Sequence, residues 1–183
     1  MIYTLEELSN DIRSSLKQWA DPKDAVLSMG PSMQRLAGDG GDLWKLGEPA
    51  TISSGLPGRR LVKDMEGRFT LLLAQYVANT PTTVHSHEGW VVICLLNGGE
   101  RYTSWRRADD GSDPGRMRLE VAQDHHLVPG DLAYLFNEPF NVHRQWPQSE
   151  GAVEIVLMAG RGRRLFNIDE KTGACEAAPD LGR

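Results

Sequence analysis

The stretch "TVHSHEGWVVICLLNGGE", residues 83–100, decides the fold prediction because it places two histidines one residue apart before an apolar run that ends in two glycines. Residues two apart in a β-strand project from the same face, so His85 and His87 would lie roughly 6 to 7 Å apart at their Cα atoms. That separation suits two ligands of one metal ion. On spacing alone the pair could also sit half-exposed on an edge strand, since His-x-His pairs occur by chance.

The chain beyond residue 45 repeats this texture of short apolar runs separated by turns. The runs are "RFTLLLAQYVA", "HEGWVVICLL", "ERYTSWRR", "RLEVAQ", "DLAYLF" and "VEIVLMAG", and the turn signals include "NGG", "DDGSDPG" and "VPGD". Regularly spaced short strands with polar turns indicate an all-β-dominated sandwich or small barrel.

The first forty residues differ from the rest because their apolar residues recur at helical spacing. Thr4 and Glu7 form a capping box, and Asp21 with Pro22 is expected to end the first helix. A second short helix is predicted over "PSMQRLAG". We therefore expect an N-terminal helical arm over residues 1–44 packed on the barrel, a barrel over 45–175 and a C-terminal tail over 176–183.

A third metal ligand could come from any of three further histidines. His143 follows a Pro-Gly-Asp turn and a strand, from which a barrel could return it to the same cavity. His125 and His126 compete with it, but they stand in the polar stretch "AQDHH" and are predicted to be loop residues.

The composition is that of one globular domain. The chain has 183 residues, 40% of them hydrophobic, and a net charge of -5. An acidic chain is not expected to bind nucleic acid or an anionic membrane surface. The sequence contains neither a signal-peptide pattern nor an apolar run long enough to span a membrane, so we expect a soluble cytoplasmic protein.

The motifs together resemble those of a cupin and, within the cupins, those of the cysteine dioxygenase family of non-haem iron enzymes. The resemblance covers the segment from "GRRLVKDMEG" through the His-x-His strand and "NGGE" to "VPGDLAYLFNEPFNVHR" and "FNIDEKTG". It implies a cupin-type jelly-roll β-barrel. Because Val91 and Val92 occupy the usual place of the cupin glutamate, it also implies a three-histidine site made of His85, His87 and His143.

The resemblance also suggests which residues would hold a substrate. Arg59, in "GRRLV", matches the family's arginine for the substrate carboxylate. Trp90 and Tyr102 are expected to wall an apolar pocket, together with Met158, which stands where the family has a tyrosine. The family's serine and histidine that support substrate align with Glu154 and Val156, and its crosslinking cysteine aligns with Val92. A substrate other than free cysteine is therefore expected.

The functional expectation is a mononuclear non-haem iron(II) oxygenase that acts with O2 on a small chelating molecule such as a thiol acid. Three neutral imidazoles leave the charge of a divalent ion uncompensated, which favours an anionic substrate. Other divalent transition metals also suit imidazole, so iron follows from the resemblance. The alternatives are a non-catalytic small-molecule-binding cupin and a metal-dependent isomerase or hydrolase. The sequence predicts no particular oligomeric state.

Overall fold

The computed structural model describes residues 2–51 and 57–178, which form two N-terminal helices followed by a curled antiparallel sheet. The helices are α1 (Leu5–Gln18) and α2 (Pro22–Asp39), with a 3-10 turn at Leu43–Lys45. The strands are β1 (Glu48–Thr51), β2 (Pro57–Lys63), β3 (Phe69–Tyr76), β4 (Val84–His87), β5 (Val91–Arg107), β6 (Leu119–Leu127), β7 (Leu132–Leu135), β8 (Val142–Ala159), β9 (Arg164–Ile168) and β10 (Cys175–Ala177). Within the described ranges, no helix has the length and apolar character needed to cross a membrane.

The long strands β5 and β8 organise the sheet. They pair antiparallel from Val91 opposite Met158 to Trp105 opposite Val142. The strands β6 and β7 extend the sheet from β5, whereas β3, β2 and β1 follow one another from one part of β8 and β4, β9 and β10 from another. This curled arrangement confirms the predicted fold class, an all-β-dominated jelly-roll barrel with an N-terminal helical arm.

The central strands are apolar on both faces because each face packs against a different layer. On β3, Leu71 and Leu73 belong to a cluster with the helix residues Ile12 and Met33. The alternate residues, such as Leu72, belong to the cluster inside the barrel. Burial on both faces explains the continuous run "LLLA", where a strand with one solvated face would alternate apolar and polar residues.

The helical arm differs from the prediction at its second helix. The capping box at Thr4 and Glu7 is confirmed, and α1 ends at Gln18. The second helix covers the predicted stretch but is longer than predicted, since α2 begins at Pro22 and contains Pro31 in its interior. Asp21 is the N-cap of α2 and accepts a hydrogen bond from a backbone N–H of its first turn. The Asp-Pro pair is therefore a helix start, in which proline takes a first-turn position that needs no N–H donor.

The predicted turn at "NGG" is instead a bend within one continuous strand. Gly98 has φ 82°, and a Cβ at this residue would lie 2.0 Å from the carbonyl oxygen of Gly151 on β8. The pairing of β5 with β8 shifts register on either side of this point. Since only glycine permits both the positive φ and the close approach, the two strands bend together and continue into the second half of the barrel.

Candidate metal centre

Three histidines meet inside the barrel because β4 lies between β8 and β9. His85 stands directly opposite His143 on β8, and His87 is opposite Arg164 on β9. The three side chains are buried, with relative exposures of 1% for His85, 7% for His87 and 2% for His143. One ring nitrogen from each lies within 4.8 Å of the other two. This confirms the prediction that three histidine rings from two strands distant in sequence lie close together.

The ring nitrogens have the spacing of ligands that share one ion. The Nε2 atom of His143 lies 2.9 Å from Nε2 of His85 and 3.1 Å from Nε2 of His87. Two imidazole nitrogens each about 2.1 Å from one ion and at right angles to each other would be about 3.0 Å apart. The donor set therefore fits three ligands on one face of a divalent ion, with further coordination positions open.

The protonation states also suit metal binding. His85 Nδ1 lies 2.8 Å from the carbonyl oxygen of Thr83 and donates to it, which places the lone pair on Nε2. Burial, followed by the charge of Arg164, holds the pKa of His85 well below its ordinary value. Burial has the same effect on the pKa of His143. Both rings are thus neutral near pH 7, the form in which imidazole binds a metal.

The histidines line a small cavity of about 30 Å³ that opens to solvent. The other lining residues are Leu72, Ala74, Tyr76, Val91, Gln145, Val156, Met158, Gly162 and Arg164. Among these described residues the lining contains no carboxylate, and Arg164 carries the permanent charge. The lining is therefore positively charged before any metal is bound. A divalent ion bound by imidazoles alone would add to that charge, because imidazole ligands carry no negative charge.

The residues predicted to hold a substrate are divided between the cavity and the core. Met158 lines the cavity, as expected. The ring of Tyr102 lies 5.5 Å from the ring of His143, but Tyr102 is fully buried behind the cavity wall. Trp90 belongs to the core between the sheet and the helices.

Arg59 lies on the other face of the sheet from the cavity. Its strand neighbour Leu73 packs toward the helices, and residues opposite one another in a sheet share a face. Its guanidinium donates to the carbonyl oxygens of Leu46 and, at 2.7 Å, Gly47. The cation at the cavity is Arg164, which the sequence analysis missed because only the register of β9 against β4 distinguishes it from its neighbours in "RGRR".

The competing histidines do not join the cluster. His125 and His126 lie on β6 rather than in a loop, because the strand continues to Leu127. In the pairing of β6 with β5, His125 lies opposite Tyr102 and His126 lies opposite Arg101. His125 is half-buried, its ring 5.7 Å from that of Tyr102, and His126 is exposed. The third histidine of the cluster is therefore His143, which follows the Pro-Gly-Asp turn.

Several solved structures resemble part of this chain. No family model matches the sequence, and no curated protein matches it. KdgF from Halomonas sp. is 14% identical, with a TM-score of 0.46 over 62% of this chain and 88% of that chain. An RmlC-like cupin from Shewanella frigidimarina is 16% identical, with a TM-score of 0.44 over 63% and 86% of the two chains.

A third solved structure, the DMSP lyase DddQ from Ruegeria pomeroyi, is 15% identical, with a TM-score of 0.39 over 52% of this chain. This chain spans 40% of the length of that lyase. The matches are likenesses of fold to proteins that include cupins. None of the three is described as a cysteine dioxygenase, so that finer resemblance stays a prediction.

Proposed function

We propose that the protein is a mononuclear non-haem iron(II) oxygenase that acts with O2 on a small anionic chelating molecule such as a thiol acid. The observation that carries this proposal is the convergence of three buried imidazoles in a cavity whose described lining has no carboxylate. Iron(II) on such ligands retains its full charge, has places for two further molecules and can supply electrons to O2, which zinc cannot.

Arg164 is the group best placed to hold the anionic end of the substrate. It lines the cavity and pairs with His87 across the strands. Its positive charge contributes to lowering the pKa values of both His85 and His143. A planar guanidinium suits a carboxylate because it can donate two parallel hydrogen bonds. This role was predicted for Arg59, whose guanidinium is instead bound to backbone carbonyls on the other face of the sheet.

The remaining wall selects for a short apolar body. Leu72, Val91, Val156 and Met158 contribute aliphatic or thioether surface to the cavity. Met158 in place of a tyrosine removes a hydroxyl from the wall. A molecule with a carboxylate, a short aliphatic chain and a second group that binds in deprotonated form would match the charge and the surface of the cavity.

The proposal is tested by reconstituting the metal-free protein anaerobically with iron(II) and then measuring metal content and O2 uptake. We expect about one iron per chain and O2 uptake with mercaptoacetate or 3-mercaptopropionate, and less with cysteine. A zinc-loaded sample is the control and should consume no O2. Turnover that proceeds equally without O2 would favour an isomerase or hydrolase, and folded metal-free protein that binds the same acids without turnover would favour a binding protein.

A further inference from the structure

Two glutamates lie inside the barrel immediately behind the cavity wall. Glu100 on β5 and Glu154 on β8 are both 0% exposed. Their backbones reach the barrel interior where the two long strands bend, since Glu100 follows the glycine pair of β5 and Glu154 lies opposite Leu95. The cavity mechanism proposed above uses neither of them.

The contacts of the two carboxyl groups are few. Gln145, which lines the cavity, donates from Nε2 to Glu154 Oε2 at 2.5 Å. The carboxyl groups of Glu100 and Glu154 are close enough to hydrogen-bond each other. Apart from this mutual contact, no residue in the described part of the chain donates to Glu100 or to Oε1 of Glu154. Two acceptor-only carboxylates could not satisfy each other, so a hydrogen bond between them requires a proton on one.

Burial makes full ionisation of this pair unfavourable. Burial raises the pKa of Glu100 above its ordinary value. Burial and the neighbouring Glu100 raise the pKa of Glu154 well above its ordinary value. Two buried carboxylates side by side repel each other, so without a neighbouring cation one of them keeps its proton. Carboxyl pairs in proteins commonly share a proton for this reason.

The groups around the pair do not supply that compensation. Tyr76 on β3 and Tyr102 on β5 are buried, and their pKa values are raised, so both are neutral near pH 7. Cys94 on β5 has its pKa raised to about 11 by burial and is neutral as well. The cation on this side of the barrel is Arg164 of β9, at the cavity.

We propose that Glu100 and Glu154 hold one proton between them at neutral pH and act as the internal base of the cavity, with Gln145 holding Glu154 in place at the cavity wall. This inference rests on the proposed function. When a substrate binds at the histidines through a group X–H, the X–H bond breaks and its electron pair stays on X. The proton passes to the ionised carboxylate of the pair, which becomes a neutral pair of carboxylic acids.

The physical reason for this assignment is charge balance inside the barrel. The substrate gains one negative charge at the histidines, and the pair loses one negative charge behind Gln145, so the total buried charge is unchanged. The charge gained by the substrate is offset by the divalent ion at the histidines. Protonation of the pair removes the desolvation cost of its buried carboxylate, which lies apart from that ion.

The test counts protons and does not depend on turnover. Cobalt(II)-loaded protein is titrated anaerobically at pH 7 with mercaptoacetate in two buffers of different ionisation enthalpy, and calorimetry gives the number of protons released to the buffer. Cobalt–thiolate absorption shows independently that the probe binds deprotonated, although its thiol is protonated in solution. The proteins compared are wild type, Glu100→Gln/Glu154→Gln and the exposed control Glu150→Gln.

We expect wild type and the control to release close to zero protons and the double variant to release close to one. Release of a full proton by wild type overturns the inference whatever the variant does. Cobalt–thiolate absorption missing from all three proteins contradicts the proposed function instead. In that case, infrared spectroscopy of the metal-free protein at pH 7 tests whether the pair holds a proton. We expect a carboxylic acid band in wild type that is missing from the double variant. The absence of this band from wild type overturns the inference.

Discussion

The Nε2 atoms of His85 and His143 lie 2.9 Å apart across paired strands that are separated by more than fifty residues in sequence. The short distance between the two rings depends on the path of β8. This strand runs without interruption from His143 to the part of the sheet that the helices cover. The histidine cluster and the core are therefore joined by one continuous strand, and changes in that strand should affect both.

The bend at Gly98 is expected to be intolerant of any side chain. We predict that Gly98→Ala lowers the free energy of unfolding by roughly 2 kcal/mol or more, because φ 82° is strained for alanine and the Cβ would meet the Gly151 carbonyl oxygen. Gly99→Ala is the matched control, since a Cβ there has its nearest neighbours at 3.8 Å and 4.0 Å. Urea unfolding of both variants measures the difference, and equal stabilities would contradict this account of the bend.

Asp64 is expected to anchor the helical arm to the β2–β3 connection. Its buried carboxylate accepts from Arg13 Nε of α1 at 3.1 Å and from Arg68 Nε at 2.9 Å. We predict that Asp64→Ala costs roughly 1 to 3 kcal/mol of unfolding free energy, because charge-assisted hydrogen bonds to a buried group are lost. The exposed neighbour change Glu66→Gln should have little effect in the same urea titration.

The same carboxylate predicts a pH dependence. The hydrogen bonds from Arg68 hold the pKa of Asp64 below its ordinary value. Its contribution to stability is thus complete above about pH 4, the unfolded value, and is lost as the pH falls below it. Asp64→Ala should lose less stability than wild type over that acid range, and parallel pH profiles of the two proteins would show that the ion pairs contribute nothing.

The features of this structure that can be predicted from the sequence are those determined by residues close together along the chain. The pattern His-x-His, the Pro-Gly-Asp turn and the capping box at Thr4 are set by neighbours along the chain, and each is found where it was expected. Arg164, Gln145 and the Glu100–Glu154 pair depend on the register between strands distant in sequence, which no local pattern reports. The error at α2 arose because Asp-Pro signals both the end of one helix and the start of the next.

The buried histidines predict that the metal-free protein loses stability as the pH falls. Burial holds the pKa values of His85 and His143 well below the unfolded value near 6.5, so the unfolded chain takes up protons that the folded chain does not. Stability should be unaffected by these rings above about pH 6.5 and should fall below it by about 1.4 kcal/mol per pH unit for each ring.

Thermal unfolding of the metal-free protein between pH 7.5 and 5 measures this slope. The exposed change His126→Asn is the control and should leave the slope unaltered, whereas His85→Asn should reduce it. A flat profile over this range in wild type would contradict the neutral, buried state assigned to the rings.

Arg164 should control the affinity for carboxylate-bearing substrates. We predict that Arg164→Lys raises KM for mercaptoacetate by roughly 10-fold or more, because lysine keeps the charge but loses the planar pair of donors. Oxidation of 2-mercaptoethanol, which has no carboxylate, should be unaffected. Arg163→Lys, at an exposed neighbour, and Arg59→Lys should both leave KM unchanged; an increase with Arg59→Lys alone would return the carboxylate role to that residue.

The claim on which the other functional predictions depend is that three rings hold one ion, and direct metal titration tests it. Anaerobic calorimetry with iron(II) should give one site per chain in wild type and in His126→Ala. Removing one of the three ligands should weaken binding by more than about 100-fold, which exceeds the loss usual for a change outside the ligand set. His143→Ala with the affinity and stoichiometry of wild type would contradict the three-histidine centre.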